Sequence, residues 1–523
     1  MSAPTVTFLE QPSAALRRTA LAVLLAPTLW MTACMSLAPD YRAPGLPVPE
    51  TLPAPEAAPA QSNALTASDG PMPWRDFVQE PRLRDLIDLS LASNRDLRVA
   101  VLAIERARAQ YGVTRADLLP SVNATGAGSR TRTADDLTTA GRSNIGSQYS
   151  AQLGFTSYEI DFWGRVRNLN DAALQEFLRA AESRRSVQLS LVAEVANAWL
   201  TLDADARRLQ LARETLRTRQ QSLNLTQRSY ELGATSGLTL AQTQTSVDSA
   251  RVDVATYGAQ VARDRNALQL LTGAPVPEAL LPASVAAAPA DATRDARANS
   301  PALTPSAPAT ALLAIPGNLP SNVLLRRPDV LAAEHTLQGS YASIGAARAA
   351  FFPSITLTGS VGTASNALSG LFDTGNGTWS FAPQIRLPIF DAGRNQANLR
   401  VAEIAQQTAI AQYEKAIQTA FREVADALAD RSTLDERLAA QRSLLDATQR
   451  SFDISEGRFK LGADSYLSVL DAQRSLYAAQ QTLITLQLAE QANRITLYKV
   501  LGGHWADGAV DASDVSRAPV PGQ

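Results

Sequence analysis

"SYELGATSGLTLAQTQTSV", residues 229–247, closes a long run without Gly or Pro and breaks on Leu232-Gly233-Ala234. "GRFKLGADSYLSVLDAQRS", residues 457–475, does the same 229 positions later on Leu461-Gly462-Ala463. Glycine at such a break permits the sharp reversal of a helix and close backbone approach. One chain therefore builds the same helix tip twice.

Working outward from the tips, residues 165–232 contain no Gly or Pro, and neither do 394–456. At a rise of 1.5 Å per residue the first run makes a rod of roughly 100 Å. Leu202, Leu209, Leu216, Leu223 and Tyr230 recur every seven residues. Ile410, Ile417, Val424, Leu438, Leu445, Phe452 and Phe459 keep the same register, interrupted at Arg431. A sustained seven-residue repeat predicts coiled-coil packing, because an isolated 3.6-residue helix drifts off its seam. Shorter helices are expected over 82–119, 238–272, 327–352 and 466–501. Two of these laid end to end match one long rod, so each half supplies one continuous and one spliced rod.

The repeat extends beyond the tips. "ARAQYGVTRADLLPSVNATG" (107–126) matches "GSYASIGAARAAFFPSITLTG" (339–359), and Gly164 with Gly393 shares the offset of Gly233 with Gly462. So long a repeat implies duplication of a whole structural unit. Eighteen of the 29 prolines lie in 39–73 and 275–320, which read as extended linkers or wrapping segments and not as cores.

Between helices lie segments of period two. "SITLTGSVG" (354–362) sets Ile355, Leu357 and Val361 against Ser354, Thr356, Thr358 and Ser360. "TWSFAPQIRLPIF" (378–390) and "SQYSAQLGFTSY" (147–158) alternate likewise, and "SVNATGAGSRTRT" (121–133) does so more weakly. Strands of about ten residues, apolar on one face and small-polar on the other, suit a membrane barrel with a wet lumen. Four strands cannot close such a barrel, and an open edge in hydrocarbon leaves backbone groups unpaired. Self-association follows: two copies give eight strands, three give twelve.

Composition narrows the function. The net charge of −2 gives a nucleic-acid partner no electrostatic support. There are two histidines, His335 and His504, and one cysteine, so no intramolecular disulfide forms. No phosphate-cradling Gly-rich loop and no Cys/His ligand cluster is present, so no catalytic residue, metal site or cofactor is expected. At the N-terminus, Arg17-Arg18 precede the apolar run "TALAVLLAPTLW", too short to span a bilayer, and then "MTAC" with Cys34. Small residues before that cysteine resemble a bacterial lipobox, although Met31 stands where Leu is usual. Lipidation of Cys34 removes an exposed thiol from an oxidising compartment. An ordinary signal peptide with an incidental cysteine is the alternative.

The layout, the two tips, "LLRRPDVLAAEHTL" (324–337), "FFPSITLTGSVG" (351–362) and "YLSVLDAQRSLYAAQQTL" (466–483) together resemble the outer-membrane efflux protein family. These are the TolC-like outer membrane factors, and the nearest type is the lipoprotein channel of resistance-nodulation-division (RND) pumps. The resemblance covers nearly all of residues 35–505. It implies a mainly α fold with a small β part. Long antiparallel coiled-coil helices form a helical barrel, and four transmembrane strands per chain close a 12-stranded β-barrel as a homotrimer. It also implies outer-membrane lipid around the barrel, a periplasmic adaptor and an inner-membrane RND pump. The expected boundaries are a lipoprotein-type signal peptide (1–33), a lipidated N-terminus with Pro-rich segment (34–80), a first repeat (81–273), a Pro-rich equatorial linker (274–326), a second repeat (327–503) and a tail (504–523).

By the same resemblance, Leu232, Gly233, Ala234, Leu461, Gly462 and Ala463 meet the adaptor. Asp464, Ser468 and Asp471 fall on one helical face near the second tip. Carboxylates at this end help close family channels, where three copies around a narrow axis repel one another and bind cations. Asp471 matches such a position. Asp464 lies near one where some members carry Arg, and Ser468 stands where some have a second Asp. Asp464 as the N-cap of helix 466–501 is the plainer reading. The expected function is a passive exit duct for drugs or other small compounds in a lipid-anchored outer-membrane complex. Type I protein secretion and heavy-metal efflux are the alternative cargoes. A periplasmic scaffold would not need four alternating strands.

Overall fold

The structure, a computed structural model, describes residues 36–49, 51–52, 73–138, 141, 143–286, 312 and 321–503. The signal peptide, Cys34, His504, the tail and most of both Pro-rich stretches lie outside the described residues. In chain order the main elements are α1 (Pro81–Ser93), α2 (Arg95–Ala116), β1 (Val122–Arg132), β2 (Ile145–Ile160), α3 (Arg165–Glu231), α4 (Gly237–Thr272), α5 (Pro328–Ala349), β3 (Ser354–Ser365), β4 (Gly377–Arg386), α6 (Arg394–Lys460) and α7 (Tyr466–Val500). Both expected rods are present as 67-residue helices, and α6 runs on through Gly457.

Two compact units emerge. One joins the described residues up to Pro44 with Glu105–Arg179 and Ala333–Gln412; the other holds Gly45–Ile104, Ala180–Ala332 and the described residues from Tyr413 onward.

The first unit contains the sheet, antiparallel in the order β1-β2-β3-β4. Paired residues share a face, so the register sorts every side chain. One face carries Val122, Leu153, Phe155, Ile355, Leu357, Val361, Trp379, Phe381 and Ile385. The other carries Asn123, Thr125, Gln152, Thr356, Thr358, Ser360, Thr378, Ser380 and Gln384. A β-bulge between Phe155 and Tyr158, with Ser157 at φ 56°, lets β2 keep Tyr158 and Ile160 on the apolar face. The apolar face has no cover within the unit: Trp379 is 80 % exposed. β1 and β4 are outer strands, each paired on one side among the described residues.

At the helix-bearing end of the sheet, Trp163 stacks on Phe352 at 4.6 Å and donates to the Pro353 carbonyl. Asp391 accepts the N–H groups of Gly393 and Asn395, capping α6. Ser36 and Tyr41 are tied down here too. The Ser36 hydroxyl donates to Asn168 Oδ1 at 2.7 Å, Tyr41 to Glu334 Oε1 at 2.9 Å, and Arg348 to the Leu37 carbonyl.

The second unit has a core around Trp199, Phe77, Leu83, Leu86, Ile87, Leu202 and Leu268, with Tyr498 stacked on Phe77 at 4.4 Å. Here the reading of the Pro-rich segments as extended linkers or wrapping segments, and not as cores, is corrected for the second of them. Leu281, Val285 and Leu312 belong to this core, and the Trp199 indole donates to the Leu280 carbonyl. That segment is apolar enough in Leu and Val to wall a core although it has no helical period.

The α6 seam follows the expected register. Tyr413, Ile417, Ala420, Val424 and Ala427, and then Leu434, Leu438, Gln441 and Leu445, are buried at alternating spacings of four and three, with half-buried Arg431 in the seven-residue step between the two runs. Leu438 and Leu445 pack with Leu476, Leu483 and Leu486 of α7. Each such buried leucine contributes about 2 kcal/mol. On α3 the seam shifts. Leu202 and Leu209 are buried, but further along Thr215, Arg219 and Thr226 turn inward, while Leu216 and Leu223 are half-buried and Tyr230 is exposed. The cause is that α3 faces α4 and α7 together: Arg219 donates to the Ser246 carbonyl of α4 and lies over the Tyr477 ring of α7.

The helix expected over 82–119 is two helices, because Asn94 leaves helical backbone and its side chain caps α2 by accepting from Leu97 N–H at 2.8 Å. The same Asn94 amide donates to the Leu271 carbonyl at the end of α4, which makes the first splice. Gly273 closes α4 at φ 68°, and a Cβ there would lie 2.4 Å from the Ser93 carbonyl oxygen. The second splice repeats the device 229 residues on. Gly502 follows α7 at φ 91°, and Arg327, ahead of α5, donates to the Val500 carbonyl at 2.7 Å, to Asp329 and to Glu423.

Where α3 and α4 meet, burial and then the neighbouring Asp205 push the Asp264 carboxyl up to about 6. Gln260 donates to its Oδ1, its Oδ2 is buried without a donor, and Arg263 stands nearby on α4. A pKa raised by folding means that the bound proton stabilises the fold fully below about pH 4, and this contribution is lost as pH rises through about 6. Asp264→Asn is therefore expected to remove that dependence. Its thermal midpoint in detergent should exceed wild type at about pH 7.5 and converge with it near pH 4. Parallel curves for the two proteins would show that this carboxyl does not titrate there.

Candidate functional site

Each tip is built from backbone first. At the end of α3, Gly233 N–H donates to the Tyr230 carbonyl and Ala234 N–H to that of Ser229, with Gly233 at φ 72°. At the end of α6, Gly462 donates to Phe459 and Ala463 to Arg458, with Gly462 at φ 74°. This paired pattern satisfies the last helical carbonyls and needs a left-handed residue, which glycine supplies without strain. The consequence is a leucine thrust outward at each turn: Leu232 is 84 % exposed and Leu461 87 %.

The tips then diverge. At the first, Ser236 caps α4 by accepting from Thr239 N–H, and Thr235, Thr239 and Gln242 follow, all uncharged. At the second, Arg458 grips Asp464 with two bonds, at 2.6 and 3.0 Å. The guanidinium holds the Asp464 carboxyl below the usual carboxylate range. The N-cap position of α7 is Ser465, so the capping role considered for Asp464 is corrected: its charge is spent on Arg458 across the turn. Ser468 and Asp471 lie together on the exposed face of α7, opposite the buried Val469, Leu470, Ala472 and Leu476. Asp464 is bonded to Arg458 instead. Arg458 was not foreseen; an opposite charge six residues before Asp464, across a turning glycine, was the available signal.

A cleft of about 450 Å³ separates the hairpins, lined among others by Thr226, Ala234, Thr239, Phe459, Tyr466 and Val469. The Tyr466 hydroxyl reaches Ser222 and Thr243 of the first hairpin. Among the described residues no group of three or more His, Cys, Asp or Glu is placed to hold a metal, and no helix is long and apolar enough to cross a membrane.

The model of the family "Outer membrane efflux protein" matches residues 86–274 and 319–503. The chain belongs to the outer membrane efflux protein family. The antibiotic efflux pump outer membrane protein ArpC of Pseudomonas putida is 45 % identical over 497 residues, covering 95 % of this chain and 98 % of the relative. The cation efflux system protein CusC of Escherichia coli is 41 % identical over 481 residues, covering 91 % and 97 %. A crystal structure of a membrane protein from Pseudomonas aeruginosa superposes with a TM-score of 0.79 at 39 % identity, covering 91 % and 99 %. This outer membrane efflux protein is a channel component of the outer membrane and belongs to a family of channels, not of enzymes. In it the two matched stretches each end on one of the paired splices and each contain one tip.

Proposed function

We propose that three copies of this chain close one twelve-stranded barrel and form the passive exit duct of a tripartite efflux pump. The observation that carries this reading is the sheet: one face apolar over the stretch nearer the helices, the other small or polar there, and outer strands β1 and β4 each paired on one side only among the described residues. Hydrocarbon does not tolerate such edges, so copies supply the missing strands. Each matched stretch is then one half of a duplicated unit, and six similar tips ring the periplasmic mouth. Leu232-Gly233-Ala234 and Leu461-Gly462-Ala463 meet a periplasmic adaptor, which links the duct to an inner-membrane RND pump.

Lipidation of Cys34 fits the anchoring of the residues after it. Ser36 and Leu37, two and three residues after Cys34, are held by Asn168 in the first turn of α3 and by Arg348 at the end of α5. The cargo is read as small organic compounds. The polar face of the sheet offers hydroxyls and amides, with no thioether, thiol or imidazole to pass a soft metal ion along.

Asp471 is assigned to the closed mouth, where its copies face one another, and Asp464 and Ser468 flank it. The test is conductance. Wild-type mature protein in planar bilayers is expected to give small, cation-preferring currents, and Asp471→Ala larger currents with less cation preference. No channel activity from either protein would overturn the duct. Equal currents would remove Asp471 from the gate and leave the duct standing.

A further inference from the structure

The apolar face of the sheet is not uniform along its length. The register that places Val122, Ala124, Gly126 and Gly128 of β1 beside Phe155, Leu153, Ala151 and Tyr149 continues to Arg130 beside Ser147 and Arg132 beside Ile145. Both arginines therefore stand on the apolar face. They lie at the end that bears the hairpin loops 133–144 and 366–376, away from the end where the helices attach. The Tyr149 ring lies over Gly128, 3.1 Å from where a Cβ would be, and marks the limit of the apolar stretch just before Arg130. Level with Ala151 and Tyr149 this face has already turned polar on the neighbouring strand, with Thr363 and Ser365.

A cation on the outward face of a membrane barrel costs about 2–4 kcal/mol at the midplane and close to nothing at the interface. Two arginines in a row on that face mark the interface. Among the described residues neither has a close carboxylate partner. Arg130 makes no ion pair among the described residues, and Arg132 reaches Asp135 only at 3.9 Å with both side chains largely exposed. We propose that Arg130 and Arg132 form a docking site for the phosphate groups of a phosphorylated glycolipid in the outer leaflet. Guanidinium forks match phosphate oxygens bidentately, and a diphosphorylated sugar headgroup presents them at the depth where this face changes from apolar to charged. The acyl chains of the same molecule lie along Tyr149, Leu153 and Val361. This rests on the proposed reading of the sheet as a membrane wall with its hairpin loops outside.

The experiment uses the full mature protein in phosphatidylcholine nanodiscs, with lipid binding read by native mass spectrometry. The probes are diphosphoryl lipid A, dephosphorylated lipid A, phosphatidylglycerol and inorganic phosphate. Wild type is expected to retain diphosphoryl lipid A and to bind the dephosphorylated form at least about tenfold more weakly. Each surface cation contributes about a factor of five, so R130Q/R132Q is expected to bind diphosphoryl lipid A about 25-fold more weakly. R130K/R132K is expected to recover most of the binding. Equal binding of the two lipid A forms, equal affinity of wild type and R130Q/R132Q, equal binding of phosphatidylglycerol, or displacement by inorganic phosphate would each overturn the proposal. The comparison of lipid A forms needs no variant and stands if a variant fails to assemble. Wild type that never enters the nanodisc overturns the membrane reading of the sheet itself; wild type that inserts and ignores lipid A overturns this site alone.

Discussion

Replacing Arg327 by Met is expected to lower stability by about 2–3 kcal/mol. Arg327 is 7 % exposed and joins three segments: the Val500 carbonyl at the end of α7, Asp329 at the start of α5 and Glu423 in α6. Burial alone would lower its pKa; the bonds to Asp329 and Glu423 outweigh that and raise it. Breaking a buried ion pair costs about 3–5 kcal/mol when the abandoned charge stays dry. Here the carboxylate side chains of Asp329 and Glu423 are 45 % and 37 % exposed, so water takes over part of the lost interaction and the estimate falls to about 2–3 kcal/mol. Met fills much of the volume, so the loss reports the bonds and not a cavity. Arg327→Lys keeps the charge but has no fork to reach three acceptors at once, and should recover about half. Loss of helical circular dichroism on heating in detergent checks both. A methionine variant that melts with wild type would mean that Gly502 and the core hold the splice without the cation.

The second large effect is functional. Leu232→Asp together with Leu461→Asp is expected to abolish export while leaving the melting curve unchanged. Both side chains already stand in water, so an aspartate costs the folded chain almost nothing. In the proposed complex the same leucines are apolar contacts at the adaptor seam. Burying a leucine is worth about 1.5–3 kcal/mol, so charging it weakens each contact at least about tenfold. The single variants should fall between wild type and the double variant, because each removes every second seat of the ring. Drug accumulation in a deletion strain carrying each variant, with outer-membrane protein levels measured in parallel, gives the result. Normal export by the double variant at normal levels would place the adaptor contact elsewhere.

Much of the architecture is legible from local chemistry. Long stretches without Gly or Pro become the 67-residue helices, and the sevens on α6 become its buried seam, because that helix packs chiefly against α7. The same sevens mislead on the later part of α3, where two partner helices compete and Arg219 and two threonines take the inward positions. β1 is faint in the sequence because Gly126, Gly128, Ala124 and Ala127 give little contrast between its faces, yet the ladder with β2 is complete over eleven pairs. The break at Asn94 hinges on one amide that caps a helix and bonds a neighbouring carbonyl at once, which no periodicity reports. Gly273 and Gly502 share the offset of the tip glycines but adjoin Pro-rich sequence and the chain end, where helix signals fade. At the site, the tips were plain from Leu-Gly-Ala. The pairing of Asp464 with Arg458 was not, since a turn brings together residues that helical spacing keeps apart.

The bare margins of the sheet bear on biogenesis. A freshly exported chain carries two sticky hydrogen-bonding borders and a greasy flank that it cannot hide alone. In the proposed trimer maturation is an encounter problem: its pace scales steeply with how many sisters share the periplasm, and holdase chaperones shield latecomers until they meet. Scarce synthesis should leave a protease-sensitive pool of orphans, whereas abundant synthesis should empty it.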